Sequence, residues 1–192
     1  MAGVAGPRLR SDRGEAVRLL TGLVLGRLAG GVVLAVPAYL LARASHAALD
    51  TSTRLWLAAV ACVVFAGFDL ADRTPHPWRQ VPQTLVHRLP PGALGVAWGV
   101  DLGLLFTTQK VVSLIWVSLA GSVLLDPATA AAVPVVAAGL SGLGEVALSV
   151  AGPRWYGTRS RLARLPRRHV RRASGLVLLA VFAATAAQAW QQ

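Results

Sequence analysis

Five long apolar blocks, separated by short arginine-rich loops, limit what this chain can become more than any other feature. They run from about Leu19 to Ala42, Leu55 to Ala71, Ala93 to Leu125, Ala128 to Ala151 and Ala173 to Trp190. A helix needs roughly 17–25 apolar residues to cross the hydrocarbon core of a bilayer. Apolar residues make up 55% of the 192, and charged ones only 14%, against about 25% in a soluble domain. These figures exclude a cytosolic globular domain, a disordered chain and a fibrous one. They predict an all-α, polytopic bundle of five spans in a single transmembrane domain over residues 19–190, behind a basic tail over 1–18.

The formal net charge of +11 would suggest nucleic acid in a soluble protein. Here the arginines lie between apolar blocks, where the positive-inside rule places them, so no nucleic-acid partner is expected. Five spans put the tail (Arg8, Arg10, Arg13, Arg18), the 72–92 loop (Arg73, Arg79, Arg88) and the 152–172 loop on one side. The last loop carries eight arginines and no acid, and the opposite side has only Arg43 and Arg54. This asymmetry predicts a multi-pass plasma-membrane protein with its N-terminus cytoplasmic and its C-terminus external.

The third block is too long for one perpendicular span. Two short helices broken at Gln109 and Lys110 would place the eight-arginine loop opposite the other basic segments. Loop charge therefore favours one long, tilted or kinked helix. A signal peptide is the rival reading of the first block, with Ala42-Arg43-Ala44 as a small-x-small cleavage site. An h-region is only about 7–15 residues long, so an uncleaved signal-anchor is expected.

Gly22, Gly26 and Gly30 are spaced by four, and so are Gly95, Gly99 and Gly103. Such runs let two helix backbones approach closely, as in a glycine zipper. Each run contains a charge, Arg27 or Asp101, and each helix ends at an acidic turn, Leu49-Asp50-Thr51 or Leu125-Asp126-Pro127. The pattern fits two parallel two-helix repeats plus a fifth helix, with the glycine runs packed on each other. Chance similarity is the other reading in a chain with 19 glycines.

Arg27, Asp69, Asp101 and Glu145 lie in four different helices at a similar expected depth, with Lys110 deeper. A charge at the centre of a spanning helix costs roughly 2.5–3.5 kcal/mol, and such residues face the bundle interior and pair, or line a wet cavity. Asp101 and Lys110 are half a turn out of phase on a continuous helix. Thr108 shares the face of Asp101, while Thr107 and Ser113 flank that of Lys110. Two readings follow. In one, an ion-pair network centred on Arg27 and Asp101 fixes helix register, and Asp69 and Glu145 snorkel to the interface. In the other, Arg27, Asp69, Asp101, Thr108, Lys110 and Glu145 line a polar path for a cation or a small polar solute.

The remaining features are less specific. The 72–92 loop holds five prolines and should be stiff and partly extended. His76 and His87 lie in it without diagnostic ligand spacing, so no metal or other cofactor is expected. Trp56, Trp98, Trp155 and Trp190 lie near helix ends, where indole rings anchor at the interface. The segment from Arg159 to Arg172 could form a basic interfacial helix that attracts anionic lipid. Cys62 reads as a small buried apolar residue. No Walker loop, dinucleotide fingerprint, HExxH or nucleophile elbow is present, so no catalytic residue is assigned and an enzyme is not expected.

The stretch WGVDLGLLFTTQ, Trp98 to Gln109, follows a basic proline-containing loop with Arg79 and Arg88. It resembles a glycine-rich helix of small actinobacterial membrane proteins. Those are distantly similar to the transmembrane part of the cytochrome c biogenesis and disulfide-relay transporter group. That group works through paired intramembrane cysteines. This chain has one cysteine, so the resemblance implies an integral membrane protein and not electron transport. The expectation is a small transporter or transporter subunit, with a homo-oligomer or a membrane partner as a possible context. The alternative is a non-transporting scaffold that packs partner helices through its glycine faces.

Overall fold

A computed structural model of the chain describes residues 12–73, 83–104, 113–150 and 167–191. Among them the only regular structure is helical. The helices are α1 (Arg13–Ala48), α2 (Thr51–Leu70), α3 (Pro91–Gly103), α4 (Leu114–Leu125), α5 (Pro127–Val150) and α6 (Arg167–Trp190), with a short 3₁₀ turn at Gln83–His87. Four of them, α1, α2, α5 and α6, are long and apolar enough to cross a membrane. Many of their apolar side chains are uncovered by protein: Leu25, Val36, Leu140, Val150 and Leu176 are each more than half exposed. So much uncovered apolar surface suits lipid rather than water.

The third block departs from the single long helix that loop charge favours. It carries α3 and α4, of 13 and 12 residues. At 1.5 Å per residue each is roughly 20 Å long, short of the ~30 Å hydrocarbon core. The reason for the break is visible at Ser113. Its backbone N–H bonds the Asp69 carboxylate, whereas in a continuous helix it would be committed to the carbonyl four residues back. Thr108 and Lys110 themselves lie outside the described residues.

Other boundaries shift outward. Asp50 caps α2, with its side chain accepting from the Thr53 N–H at 2.9 Å. Asp126 treats the start of α5 alike, accepting from the Thr129 N–H at 2.8 Å. Both acidic turns are thus helix N-caps. The last helix starts at Arg167, so residues 167–172 of the expected interfacial helix belong to it; residues 151–166 lie outside the described set, as do residues 74–82 with His76. Residues 83–87 of the expected extended loop form the 3₁₀ turn instead.

The chain divides into two compact units. The first comprises Met1–Leu34, Pro77–Thr108 and Pro134–Arg164, and the second Ala35–His76, Gln109–Val133 and Leu165–Gln192. In the first unit, the early part of α1 packs in parallel on α3. A methyl group at Gly22, Gly26 or Gly30 would collide with backbone of Gly92, Val96 or Val100, and one at Gly95, Gly99 or Gly103 with backbone of Leu19, Leu23 or Arg27. Within lipid the hydrophobic effect does not drive helices together, so close backbone packing of this kind carries the association. Leu19, Leu20, Leu23, Leu94, Trp98 and Leu102 form the core of this unit. Trp98 is only 2% exposed; it packs in that core and does not anchor at an interface. Trp56 and Trp190 are exposed, and Trp155 lies outside the described residues. In the second unit α2 runs antiparallel to α4 and α6. Cys62, Ala66, Val117 and Leu178 form one core there, and Ala38, Ala42 and Ala130 another.

Candidate functional site

Arg27 and Asp69 are the buried charges among the described residues, at 6% and 1% exposure. Each unit holds one of them.

Arg27 sits on α1 where Gly99 and Gly103 of α3 let the helices touch, and Gly142 of α5 leaves room for its aliphatic stem. A Cβ at Gly142 would lie 3.2 Å from Arg27 Cδ. The guanidinium then reaches α5. Nη1 donates to Ser141 Oγ at 2.6 Å, and Nη2 donates to Glu145 Oε1 at 2.6 Å. The Ser141 hydroxyl passes its own proton to the Ala138 carbonyl at 3.0 Å. Arg27 thus pairs with Glu145, and not with Asp101 as its position on the neighbouring glycine run suggests. The reason is geometric. Gly95, Gly99 and Gly103 of α3 are turned to α1, so the two backbones meet there, and the long side chain of Arg27 extends to α5 instead. Glu145 consequently does not snorkel. Two atoms of the pair, Arg27 Nε and Glu145 Oε2, are buried without a hydrogen-bond partner among the described residues. Asp101 is half-buried in the same unit and has a contact of its own.

Asp69 is placed at the last turn of α2. Both its oxygens accept from the Ser113 N–H, at 3.1 and 2.9 Å. The Ser113 hydroxyl donates to Oδ1 at 2.7 Å, and the Ser174 hydroxyl donates to Oδ2 at 2.6 Å. Asp69 therefore does not snorkel. Its carboxyl sits at the N-terminus of α4, where the helix dipole and a free backbone N–H favour negative charge.

Beyond Asp69 the chain turns sharply. Arg73 N–H bonds the Phe68 carbonyl and Asp72 N–H the Asp69 carbonyl, the paired bonds of a Schellman motif. Asp72 occupies its left-handed position with φ of 60°, where glycine is usual and Asp is tolerated. Arg171 of α6 donates to the Asp72 carbonyl at 2.8 Å and to its carboxylate, and Arg168 lies 3.6 Å from the same carboxylate. The Arg171 hydrogen bond, aided by the charges of both arginines, holds the Asp72 carboxyl below the ordinary carboxylate range.

The structure thus brings together Arg27 and Glu145 of the sequence candidates, and the six packing glycines. It sets Asp69 in another unit. The three serines escaped the sequence argument as site residues. A usable signal existed for Ser141, which stands one turn before Glu145 on a face of α5 with Gly142 and Ala138. No comparable signal marks Ser174, whose role depends on α2 meeting α6. Among the described residues no cluster of three or more His, Cys, Asp or Glu could hold a metal ion. No family model, curated protein or solved structure matches the chain.

Proposed function

We propose that this is a small integral-membrane transporter or transporter subunit whose polar site is built on Arg27 and Glu145. One observation carries the reading. A buried ion pair between α1 and α5 leaves one donor, Arg27 Nε, and one acceptor, Glu145 Oε2, unused. Buried polar atoms are normally satisfied, and each exception calls for an explanation, a functional role among them. Intramembrane charges of this kind commonly mark solute paths. A solute that both accepts and donates suits these two groups better than a bare metal cation, because Arg27 already neutralises the carboxylate. Half-length helices such as α3 and α4 also accord with it, since transporters build sites at broken helices. Asp101 lies on α3, and we place it on the same path. We retain five spans, counting α3 with α4 as one crossing, and a cytoplasmic N-terminus. The parallel contact of the two glycine runs and the matched Asp50 and Asp126 caps accord with two repeats.

The scaffold reading loses its proposed docking faces, because the six glycines are engaged within the chain. Its best remaining support is Gly67, Gly121 and Gly144, around which an added Cβ would meet nothing.

The test is thermal stability of the detergent-purified protein with alkali cations, divalent metals, neutral amides and zwitterionic solutes. We expect a selective rise with an amide or zwitterion, lost in Glu145→Gln while helical content is kept. No shift with any solute, or a shift that persists in that variant, would refute the site and leave the scaffold.

A further inference from the structure

In the second unit, the end of α2 and the start of α6 enclose a cavity of about 270 Å³ lined by Asp69, Leu70, Ala71, Asp72, Arg168 and Arg172. Its acids are already committed. Asp69 is bonded to two serines, and Asp72 is bonded to Arg171. Arg168 is only loosely paired, 3.6 Å from the Asp72 carboxylate. Arg168 keeps 75% of its side chain exposed, and Arg172 is exposed with no ion pair or hydrogen bond among the described residues. The lining is formally balanced, two acids against two arginines, but Arg172 has no ion-pair partner among the described residues, which leaves its guanidinium available to an anion.

Helix electrostatics strengthen the point. The first six residues of α6 are Arg-Arg-His-Val-Arg-Arg, and its first turn carries no acid. Cations at a helix N-terminus oppose the macrodipole, and an anion there is favoured. Asp72, reaching across from α2, supplies the compensation for Arg171 and part of it for Arg168. Arg172 is left over. The cavity also has a defined depth. Apolar sequence ends at Leu70 in α2 and begins at Ala173 in α6, so the cavity lies where two hydrophobic spans give way to polar chain. In a bilayer that level is the headgroup region, where lipid phosphates lie.

We propose that this cavity binds the phosphate of an anionic lipid, with Arg168 and Arg172 as its ligands and Asp72 as a built-in competitor for Arg168. The competitor makes the proposal specific. Diffuse attraction to an anionic surface depends on net charge alone, whereas a built cavity depends on which charge is removed.

Detergent-purified protein is titrated with phosphatidylglycerol, phosphatidylcholine or inorganic phosphate, and thermal stabilisation is read. Phosphatidylglycerol should stabilise wild type and phosphatidylcholine should not. Arg172→Gln and Arg168→Gln should each weaken the apparent affinity about fivefold, from the worth of one basic residue near an anionic surface. Asp72→Asn should strengthen it, and Asn also tolerates the left-handed backbone at this position. Arg18→Gln removes an equal charge outside the cavity and should change affinity less than twofold. An equal loss in Arg18→Gln and Arg172→Gln would overturn the site in favour of diffuse attraction. Stabilisation by inorganic phosphate equal to that by phosphatidylglycerol, with the same variant pattern, would overturn the lipid assignment and leave a free-anion site.

Discussion

Arg27 and Asp69 are both buried, yet their surroundings treat them in opposite ways. Asp69 accepts from two serine hydroxyls and from the Ser113 N–H at the start of α4. Arg27 is met by an opposite charge and a hydroxyl, and the pair keeps one donor and one acceptor in reserve. Neutral donors can surround a carboxylate and fill its lone pairs. A guanidinium has five N–H groups in a rigid fork, and two partners on one helix cannot use them all. One region is therefore a lock, and the other is an ion pair with polar atoms left over among the described residues.

The largest effect should come from opening the lock. Asp69→Ala strands the Ser113 N–H and two serine hydroxyls in a buried place. At about 1–3 kcal/mol for each group left unsatisfied, the loss should be roughly 3–5 kcal/mol, read as a lower unfolding midpoint in detergent. Asp69→Asn keeps one acceptor and should lose less. If Asp69→Ala unfolds at the wild-type midpoint, the lock is not structural and the comparison fails at once.

Next comes the close packing beside Arg27. Gly99→Ala puts a methyl group into the Leu23 carbonyl, and the backbones must separate. Overpacking of this kind typically costs about 1–3 kcal/mol. Gly175→Ala in the second unit meets Leu70 Cγ at 2.8 Å, a side chain that can turn aside, and should lose clearly less. Equal losses would mean that the parallel α1–α3 contact is looser than its geometry implies.

Glu145→Gln sharpens the contrast further. It keeps an acceptor for Arg27 and removes the charge, on a side chain that is 32% exposed. Stability should fall by less than in Asp69→Asn, by about 1 kcal/mol or less once solvent screening of the carboxylate is allowed for, while any solute response disappears. A loss as large as that of Asp69→Asn would make both charges structural.

These residues also show what a sequence can and cannot disclose. Membrane class follows from block length and loop charge, because bilayer thickness and positive-inside bias act on segments and need no partner. The glycine spacing carries real information for the same reason, since a small-residue face is a property of one helix. Pairing is different. The sequence points to Asp101, on the facing glycine run, and only the course of the Arg27 side chain past Gly142 shows Glu145 as its partner. The break before Ser113 is hidden too. Its cause, the Asp69 carboxylate, lies 44 residues earlier in the chain.

Asp72 offers a milder probe at the edge of the lock. Its folded carboxyl lies below the ordinary range because Arg171 bonds it. A group with a depressed folded value stabilises fully above its unfolded value, near pH 4, and loses that contribution as pH falls through the folded value. Acid unfolding below about pH 4 should therefore be less steep in Asp72→Asn than in wild type, with no difference in slope at neutral pH. Identical acid profiles would remove Asp72 from the stabilising set.

The smallest expected effect is Gly67→Ala, and it bears on function as much as on stability. Gly67 lies inside α2, two residues before Asp69, and a methyl group there meets nothing. Replacing a helical glycine by alanine favours the helix by about 1 kcal/mol at most, so the isolated protein in detergent should be unchanged or slightly more stable. In the native membrane the same result is expected if α2 faces lipid at this point. A partner helix seated on Gly67 would lose its close approach, and the variant would then destabilise a complex that the detergent measurement never contains. Comparing the oligomeric state of wild type and Gly67→Ala by crosslinking in native membranes separates the two cases. Unchanged crosslinking keeps the glycines near Asp69 dispensable and those near Arg27 essential. A lost crosslink would revive the scaffold reading in the unit that holds Asp69.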